Sequence, residues 1–141
     1  MEENKMDLKQ LLDQQTYEIL TREYGLHDAY IDAMTYENTG DSELKSNIRL
    51  VIKLTDYEDE HLKIDLIFEE IWRINYNMDL NTYRYVESGK PIFKEKLGQI
   101  MDSRVDYSDQ KYTVTIRMQG DYRLVVSAKR FRIETRHLEN K

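Results

Sequence analysis

The chain has 141 residues and a mass of 17.0 kDa, the size of one folded domain. Its 27 acidic and 21 basic residues give a net charge of −6, which argues against a general DNA-binding protein. Cysteine is absent, which excludes a disulfide framework, a thiol nucleophile and a cysteine-ligated zinc site. No apolar run reaches the ~18 residues of a membrane span, and the first residues, Met-Glu-Glu-Asn-Lys, lack a signal-peptide core, so we expect a soluble cytoplasmic protein with no membrane partner.

The N-terminal segment has the pattern of an amphipathic helix. Over residues 7–24 the apolar side chains recur at helical spacing, at Leu8, Leu11, Leu12, Ile19 and Leu20. The opposite side is polar, which predicts one helix that packs its apolar stripe on the rest of the domain. Gly25 stands where a left-handed C-terminal cap would fall.

Beyond residue 28 the apolar period changes from 3.6 to 2, which predicts β-strands. The expected strands are 29–36, 47–54, 62–68, 80–86, 100–107, 111–118 and 121–135. A turn at 119–121 predicts that the last two form a hairpin. The alternation shifts phase at Glu69-Glu70, where we expect a bulge or corner. Residues 87–97 are expected to be an irregular connection with room for one helical turn.

The strand region contains a possible internal repeat. Residues 31–71 and 101–131 match in apolar phase, and Phe68-Glu69-Glu70-Ile71 corresponds to Ala128-Lys129-Arg130-Phe131. The pattern predicts a mainly β single domain over residues 1–141, α+β only through its helix at about 7–24. Two antiparallel meanders, at about 28–86 and 99–136, are expected to form a β-sandwich or one strongly curved sheet.

The two halves of the chain carry opposite charge. Residues 1–70 hold 18 acidic and 7 basic side chains, a net of −11, whereas residues 71–141 hold 9 acidic and 14 basic ones, a net of +5. At the matched position, Glu69-Glu70 corresponds to Lys129-Arg130. Halves of opposite sign are expected to attract inside one fold, head-to-tail between copies, or towards a partner of mixed charge.

The acidic half predicts a docking surface for a basic protein partner. Its candidate binding residues are Asp56, Glu58, Asp59, Glu60, Glu69, Glu70 and Trp72. An aromatic anchor would supply contact energy, and the carboxylates would supply association rate and specificity. The competing interpretations are a solubilising hairpin tip and a Trp72 that belongs to the core.

The basic half predicts an alternative nucleic-acid-binding face. Its candidate residues are Arg117, Arg123, Arg130, Arg132 and Arg136, with Tyr107, Tyr112 and Tyr122 available to stack on bases. The competing interpretation is a charged outer sheet face with cross-strand ion pairs, which we favour because no RNA-binding motif is present.

Catalytic signals are weak. Adjacent His27 and Asp28 could form a general-base pair, but neighbours in a strand point to opposite faces, so cooperation requires a special turn. The alternative is a polar corner between helix and strand. The nucleophile, phosphate-loop and histidine-pair metal motifs are missing from the sequence, and residues 56–61 lack the order of a calcium loop. We therefore favour a non-enzymatic protein without excluding an enzyme, and we expect no cofactor or metal.

Three segments carry a resemblance to known proteins: LHDAYI at 26–31, LKIDLIFEEI at 62–71 and RLVVSAKRFRIE at 123–134. In layout the chain resembles small β-rich bacterial proteins of unknown function and is similar in style to immunity proteins of polymorphic-toxin systems. The resemblance implies a bacterial or phage accessory protein that acts by binding, and it assigns no functional residues.

Two functions follow as expectations. The first is a non-enzymatic protein-binding module, immunity-like or inhibitor-like, that uses its acidic face on a basic protein. The second is a nucleic-acid- or nucleotide-binding protein that uses the basic C-terminal hairpin. A small-ligand or enzymatic pocket between the meanders is a third alternative.

Overall fold

A computed structural model of the chain describes residues 8–23, 25–38, 48–77, 84–87, 90–93, 99–118 and 122–138. It begins with two short helices, α1 (Leu8–Leu11) and α2 (Gln14–Thr21). The strands that follow are β1 (Tyr30–Asn38), β2 (Ile48–Thr55), β3 (Leu62–Asn77), β4 (Arg84–Glu87), β5 (Lys90–Phe93), β6 (Ile100–Ser108), β7 (Lys111–Met118) and β8 (Tyr122–His137). The mainly β class predicted from the alternation is therefore confirmed.

Six of these strands form one antiparallel sheet in the order β1-β2-β3-β8-β7-β6. Each half of the chain contributes three consecutive strands to this sheet. In both halves the first of these strands lies at an edge and the last lies at the centre. The two meanders are thus hydrogen-bonded side by side into a single sheet, which is the second of the two expected arrangements. Superposition of residues 31–71 on 101–131 stays a prediction.

The two edge strands of this sheet approach each other at one point. Tyr30 and Gln99 form an isolated antiparallel bridge. Beside it, the Asp28 amide donates to the Ile100 carbonyl and the Ile100 amide donates to the Ala29 carbonyl, both at 2.7 Å. Because β1 and β6 lie at opposite edges, the sheet must curve strongly to bring these residues together. We call this contact, between residues 28–30 and 99–100, the seam.

The central ladder joins the two segments that the repeat matched. Phe68 pairs with Phe131 and Ile71 pairs with Ala128, so 68–71 lies directly against 128–131. The rings of Phe68 and Phe131 stack with centroids 4.9 Å apart. The predicted irregularity is present, because Glu70 has a φ of 53° and the register shifts between Ile71 and Arg73. Trp72 is the extra residue of this bulge.

The alternating apolar residues all point to one face of the sheet, where they form the core. Leu50, Ile52, Leu54, Ile64, Leu66, Phe68, Val114, Ile116, Met118, Leu124, Val126 and Ile133 are each 1% exposed or less. Leu12 of the N-terminal segment is buried with them, and Leu8, Leu11, Tyr17, Ile19 and Leu20 pack against them. Ile64, in the middle of the predicted strand 62–68, is fully buried in this core.

The N-terminal helix differs from the prediction of one helix over 7–24, because it is divided at Leu12–Asp13. The Asp13 carboxylate accepts a hydrogen bond from the Thr16 amide at 2.8 Å, and this N-cap begins a second helix. That helix, α2, ends at Thr21, and Arg22 is already extended. Gly25 is left-handed, with a φ of 51°, but it lies in the turn that follows and does not cap the helix.

The segment between the meanders also differs from the prediction. Residues 80–86 were expected to form a fourth strand of the first meander, and 87–97 an irregular connection. Instead β4 and β5 pair with each other as a separate two-stranded sheet. The two residues between them, Ser88-Gly89, form a dipeptide typical of turns, which favours this local hairpin. The expected turn at 119–121 lies outside the described residues, although Met118 pairs with Tyr122 on either side of it.

Candidate functional site

A cleft of about 440 Å³ opens beside the β2–β3 turn and is bounded on the other side by the chain that follows α2. Its lining residues are Arg22, Glu23, His27, Asp28, Asp56, Tyr57 and Glu58. Four of these side chains are carboxylates and one is a guanidinium, so negative charge predominates in the cleft. We call this site the acidic cleft.

A tight turn near the seam places His27 and Asp28 on one wall of the acidic cleft. Asp28 adopts a φ of 67°, which is uncommon for a residue other than glycine. This is the special turn that the neighbouring pair required, and it brings His27 Nδ1 to 3.1 Å from Asp28 Oδ2. Gln99 Nε2 lies 3.4 Å from Asp28 Oδ1 as a long hydrogen-bond donor. The carboxylate therefore orients the imidazole, although this geometry alone does not supply a nucleophile.

Arg22 links the two walls of the acidic cleft. Its Nη2 lies 2.6 Å from Asp56 Oδ1, and its Nε donates to the Gly25 carbonyl at 2.7 Å. The Asp56 side chain is 8% exposed and that of Arg22 is 30% exposed. Asp56, predicted as an exposed partner-binding residue, is thus the buried partner of an internal ion pair. Its role is to hold the β2–β3 turn against the chain after α2.

Asp59 also has a structural role in the β2–β3 turn. Its side chain accepts a hydrogen bond from the His61 amide at 3.0 Å, and its backbone carbonyl accepts one from the Leu62 amide at 2.9 Å. His137 Nε2 lies 3.3 Å from the other carboxylate oxygen. Of the four acidic residues predicted at this turn, Glu58 and Glu60 are the two that the structure leaves exposed.

Glu69 and Glu70, the remaining carboxylates of the predicted acidic face, lie apart from the cleft. They are seven and eight residues beyond Leu62 along β3, roughly 23–26 Å at ~3.3 Å per residue. Glu69 forms an ion pair with Arg132, and Glu70 lies 3.2 Å from Arg130 Nε. The predicted acidic face is therefore not one continuous surface.

Most of the predicted basic residues are paired with carboxylates on the outer face of the sheet. Arg132 also contacts Glu134, Arg136 lies 3.5 Å from Asp65, and Arg117 lies 2.8 Å from Asp102. The hydrogen bond to Glu69 is the largest of the interactions that raise the pKa of the Arg132 guanidinium. Arg123 has no carboxylate partner among the described residues. Ion pairs of this kind, on the outer face of the sheet, are the alternative to a nucleic-acid-binding face that we favoured from the sequence.

Trp72 lies in a basic environment, although the sequence placed it beside the acidic residues. It is 60% exposed, so it is not a core residue. Lys111 Nζ lies 4.0 Å from the centroid of its ring and Lys129 Nζ lies 6.0 Å away, which are cation–π distances. The bulge explains the exposure, since it leaves Trp72 and Arg73 both exposed where simple alternation would bury one.

Two of the tyrosines expected to stack on bases lie on the core face instead. Tyr112 is 9% exposed and its hydroxyl donates to the Leu11 carbonyl at 2.9 Å. Tyr107 packs against it with ring centroids 4.8 Å apart. Burial is the main cause that raises the pKa of Tyr112. They therefore do not share a face with the arginines, and Tyr122 lies outside the residues whose side chains are described.

Sequence reasoning missed Glu23 and Tyr57 as cleft residues and Lys111 and Lys129 as neighbours of Trp72. The predicted helix extended to residue 24 and so included Glu23, and no sequence pattern identified this residue as part of a cleft. For Lys129 a signal existed, because its match to the Glu69-Glu70 position put it near the bulge. The match alone did not predict contact between Lys129 and Trp72, because that contact depends on the pairing of β3 with β8.

Comparison with known proteins adds no assignment, since no family model, no curated protein and no solved structure matches this chain. Within the described part of the chain, no group of three or more histidine and carboxylate side chains is arranged to hold a metal ion. No helix in that same part is long and apolar enough to cross a membrane.

Proposed function

We propose that the protein is a binding module, immunity-like or inhibitor-like, whose acidic cleft takes a cationic side chain of a basic protein partner. The observation that carries the proposal is the composition of a concave site. Four carboxylates line it, and its one guanidinium is already bound to Asp56 and to a backbone carbonyl. An incoming guanidinium or ammonium group would meet unpaired negative charge there.

The two exposed carboxylates of the acidic cleft have different roles from the two held ones. Glu23 and Glu58 are exposed, whereas Asp28 and Asp56 are engaged with His27 and Arg22. The engaged pair sets the shape of the cleft, and the exposed pair is free to steer and contact a cation. Tyr57, which is 62% exposed at the rim, offers a ring face for cation–π contact.

The charges outside the cleft support this location. Glu69 and Glu70 are neutralised by arginines, so they contribute little to the attraction of a basic partner. Within the part of the chain that the structure describes, the acidic side chains of the predicted face that are exposed and have no ion-pair partner are Glu58 and Glu60, both on the β2–β3 turn. We therefore place the docking surface at this end of the sheet.

The test uses a pair of short peptides that differ only in charge. Acetyl-Gly-Arg-Gly-amide and its citrulline analogue have nearly the same shape, and ¹⁵N-resolved NMR titration would follow both. We expect the arginine peptide to shift the resonances of residues 22–28 and 56–58, with the citrulline peptide binding at least twofold more weakly. Equal binding of the two peptides, or shifts confined to another surface, would contradict the proposal.

Single substitutions distinguish binding at the acidic cleft from attraction by the overall negative charge of the protein. Glu23→Gln and Glu58→Gln should each weaken the arginine peptide twofold to fivefold, corresponding to roughly 0.5–1 kcal/mol for an exposed pair. Glu37→Gln is the control, since Glu37 is exposed on β1 about seven residues, or ~23 Å, from the seam. An equal loss from Glu37→Gln would mean that net charge, and not the cleft, governs binding.

A further inference from the structure

The face of the sheet opposite the core carries a second feature that the acidic cleft does not use. Trp72, Arg73, Lys111, Lys129 and Arg123 lie along the outer surface of β3, β8 and β7, and we call them the basic-aromatic strip. The four cations have no carboxylate partner among the described residues. They differ in this from Arg117, Arg130, Arg132 and Arg136, which are all paired.

No acidic side chain occupies a described outward position of β3, β8 or β7 between Trp72 and Arg123. Arg73 pairs with Ser127 in the central ladder, two residues from Lys129 on β8. Arg123 lies four residues beyond Ser127, about 13 Å at ~3.3 Å per residue. The outward positions between them are uncharged, namely Asn75, Thr113, Thr115, Val125 and Ser127. The acidic side chains of β6, Asp102 and Asp106, lie at the sheet edge and are each paired with an arginine.

We propose that the basic-aromatic strip binds single-stranded nucleic acid, with a base stacked on Trp72 and phosphates on the four cations. Single-strand binding proteins combine an aromatic platform with a basic surface that follows the backbone, and the strip holds both within one sheet face. An acidic peptide could satisfy the cations. Its amide and carboxylate groups would give the indole ring much less flat surface to stack on than a nucleobase does, and Trp72 is the residue that the bulge exposes.

The net charge of −6 does not by itself oppose this local contact, because charge effects between exposed groups are short-ranged. Screening confines charge effects to ~8–10 Å at physiological salt. Among the described acidic residues near the strip, Glu70 is paired with Arg130 and Asp102 is paired with Arg117. The proposal is independent of the acidic cleft, since the two sites share no residue.

The assay follows directly from the composition, because Trp72 is the only tryptophan of the chain. Its intrinsic fluorescence reports on this site alone. Unlabelled dT12 should quench it at low salt, and log K should fall with log salt with a slope of roughly −2 to −3 for three or four phosphate contacts, at ~0.7 per contact. Inorganic polyphosphate and polyglutamate are the base-free and protein-like comparisons, and both should bind more weakly with less quenching.

Variants locate the binding by anisotropy of fluorescein-labelled dT12. Lys111→Glu and Lys129→Glu should each weaken binding at least fivefold, and so should Trp72→Leu. Lys53→Glu is the matched control, because Lys53 is an exposed lysine on the same outer face over β2, and it should change affinity less than twofold. Urea unfolding of each variant checks that the fold is intact.

Three results would overturn the proposal. Absence of dT12 binding at low salt overturns the proposal. Polyglutamate binding that equals or exceeds dT12 binding also overturns it, and assigns the strip to an acidic protein. Equal losses from Lys53→Glu and Lys129→Glu overturn it as well, since they show attraction by general charge. Failure here leaves the arginine-peptide titration of the acidic cleft unaffected.

Discussion

The ion pair between Arg22 and Asp56 gives the sharpest test of how the acidic cleft is built. Replacing Asp56 with Asn keeps the shape of the side chain and an acceptor oxygen but removes the charge. Breaking a fully buried pair costs about 3–5 kcal/mol, and a hydrogen bond to a charged group contributes about 1.5–3 kcal/mol. Because Arg22 is 30% exposed and Asn can still accept a hydrogen bond, we expect a loss of about 1.5 kcal/mol.

The measurement is urea unfolding followed by circular dichroism at neutral pH, with thermal unfolding as a second reading. A loss of this size should lower Tm by roughly 5 °C for a domain of this length. Asp106→Asn is the matched control, because Asp106 pairs with Arg104 at 2.9 Å with side chains 49% and 75% exposed. An exposed pair of this kind should contribute less than about 0.5 kcal/mol.

A double-mutant cycle identifies the interaction itself. Arg22→Met combined with Asp56→Asn should show a coupling free energy of about 1 kcal/mol or more, since the two side chains are in direct contact. If Asp56→Asn is no more destabilising than Asp106→Asn, then Asp56 does not hold the turn in place. Asp56 would then again be a candidate partner-binding residue.

Three further predictions test the fold and can be measured by the same unfolding assay. Ile64→Ala should cost about 2–5 kcal/mol, whereas Trp72→Ala should cost less than about 1 kcal/mol because the indole is exposed. Asp13→Ala should cost about 1 kcal/mol through loss of the α2 cap, and an unchanged stability would mean that the helix break has another cause. Tyr112→Phe should cost about 1 kcal/mol at pH 8 through its bond to Leu11. Burial raises the folded pKa of Tyr112, so the unfolded chain ionises first above about pH 10. The advantage of the wild type should therefore shrink there, and a gap that widens would contradict this sign.

Strict alternation made the strands readable from the sequence. In the segments 48–54, 62–68, 112–118 and 122–128, side chains two apart share a face, so the parity of the apolar residues predicted which side would be buried. The irregularity after Phe68 was readable for the same reason, since a phase shift requires an extra residue or a bend. These predictions rest on local geometry that the chain cannot easily override.

The failures arose where a short polar signal competed with a longer apolar pattern. The apolar stripe over 7–24 continued past Asp13, but the Asp13 carboxylate binds the Thr16 amide and so begins a new helix. The acidic cleft depends on a left-handed Asp28 and on contact between opposite sheet edges. Neither feature produces a periodic pattern in the sequence, and the seam joins residues about 70 positions apart along the chain.

The strand order pairs part of the opposite charge of the two halves of the chain within one molecule. Because β3 and β8 lie together at the centre, the matched segments 68–71 and 128–131 face each other, and their opposite charges pair within one molecule. A charged face inferred from one half of such a chain is therefore an overestimate until the pairing of the halves is known. The two proposed sites use charges that have no ion-pair partner among the described residues: the exposed carboxylates of the acidic cleft at one end, and the cations beside Trp72 on the outer face. Glu58 lies on the β2–β3 turn and Trp72 is the extra residue of the bulge, so each proposed site includes one position where the regular ladder is interrupted.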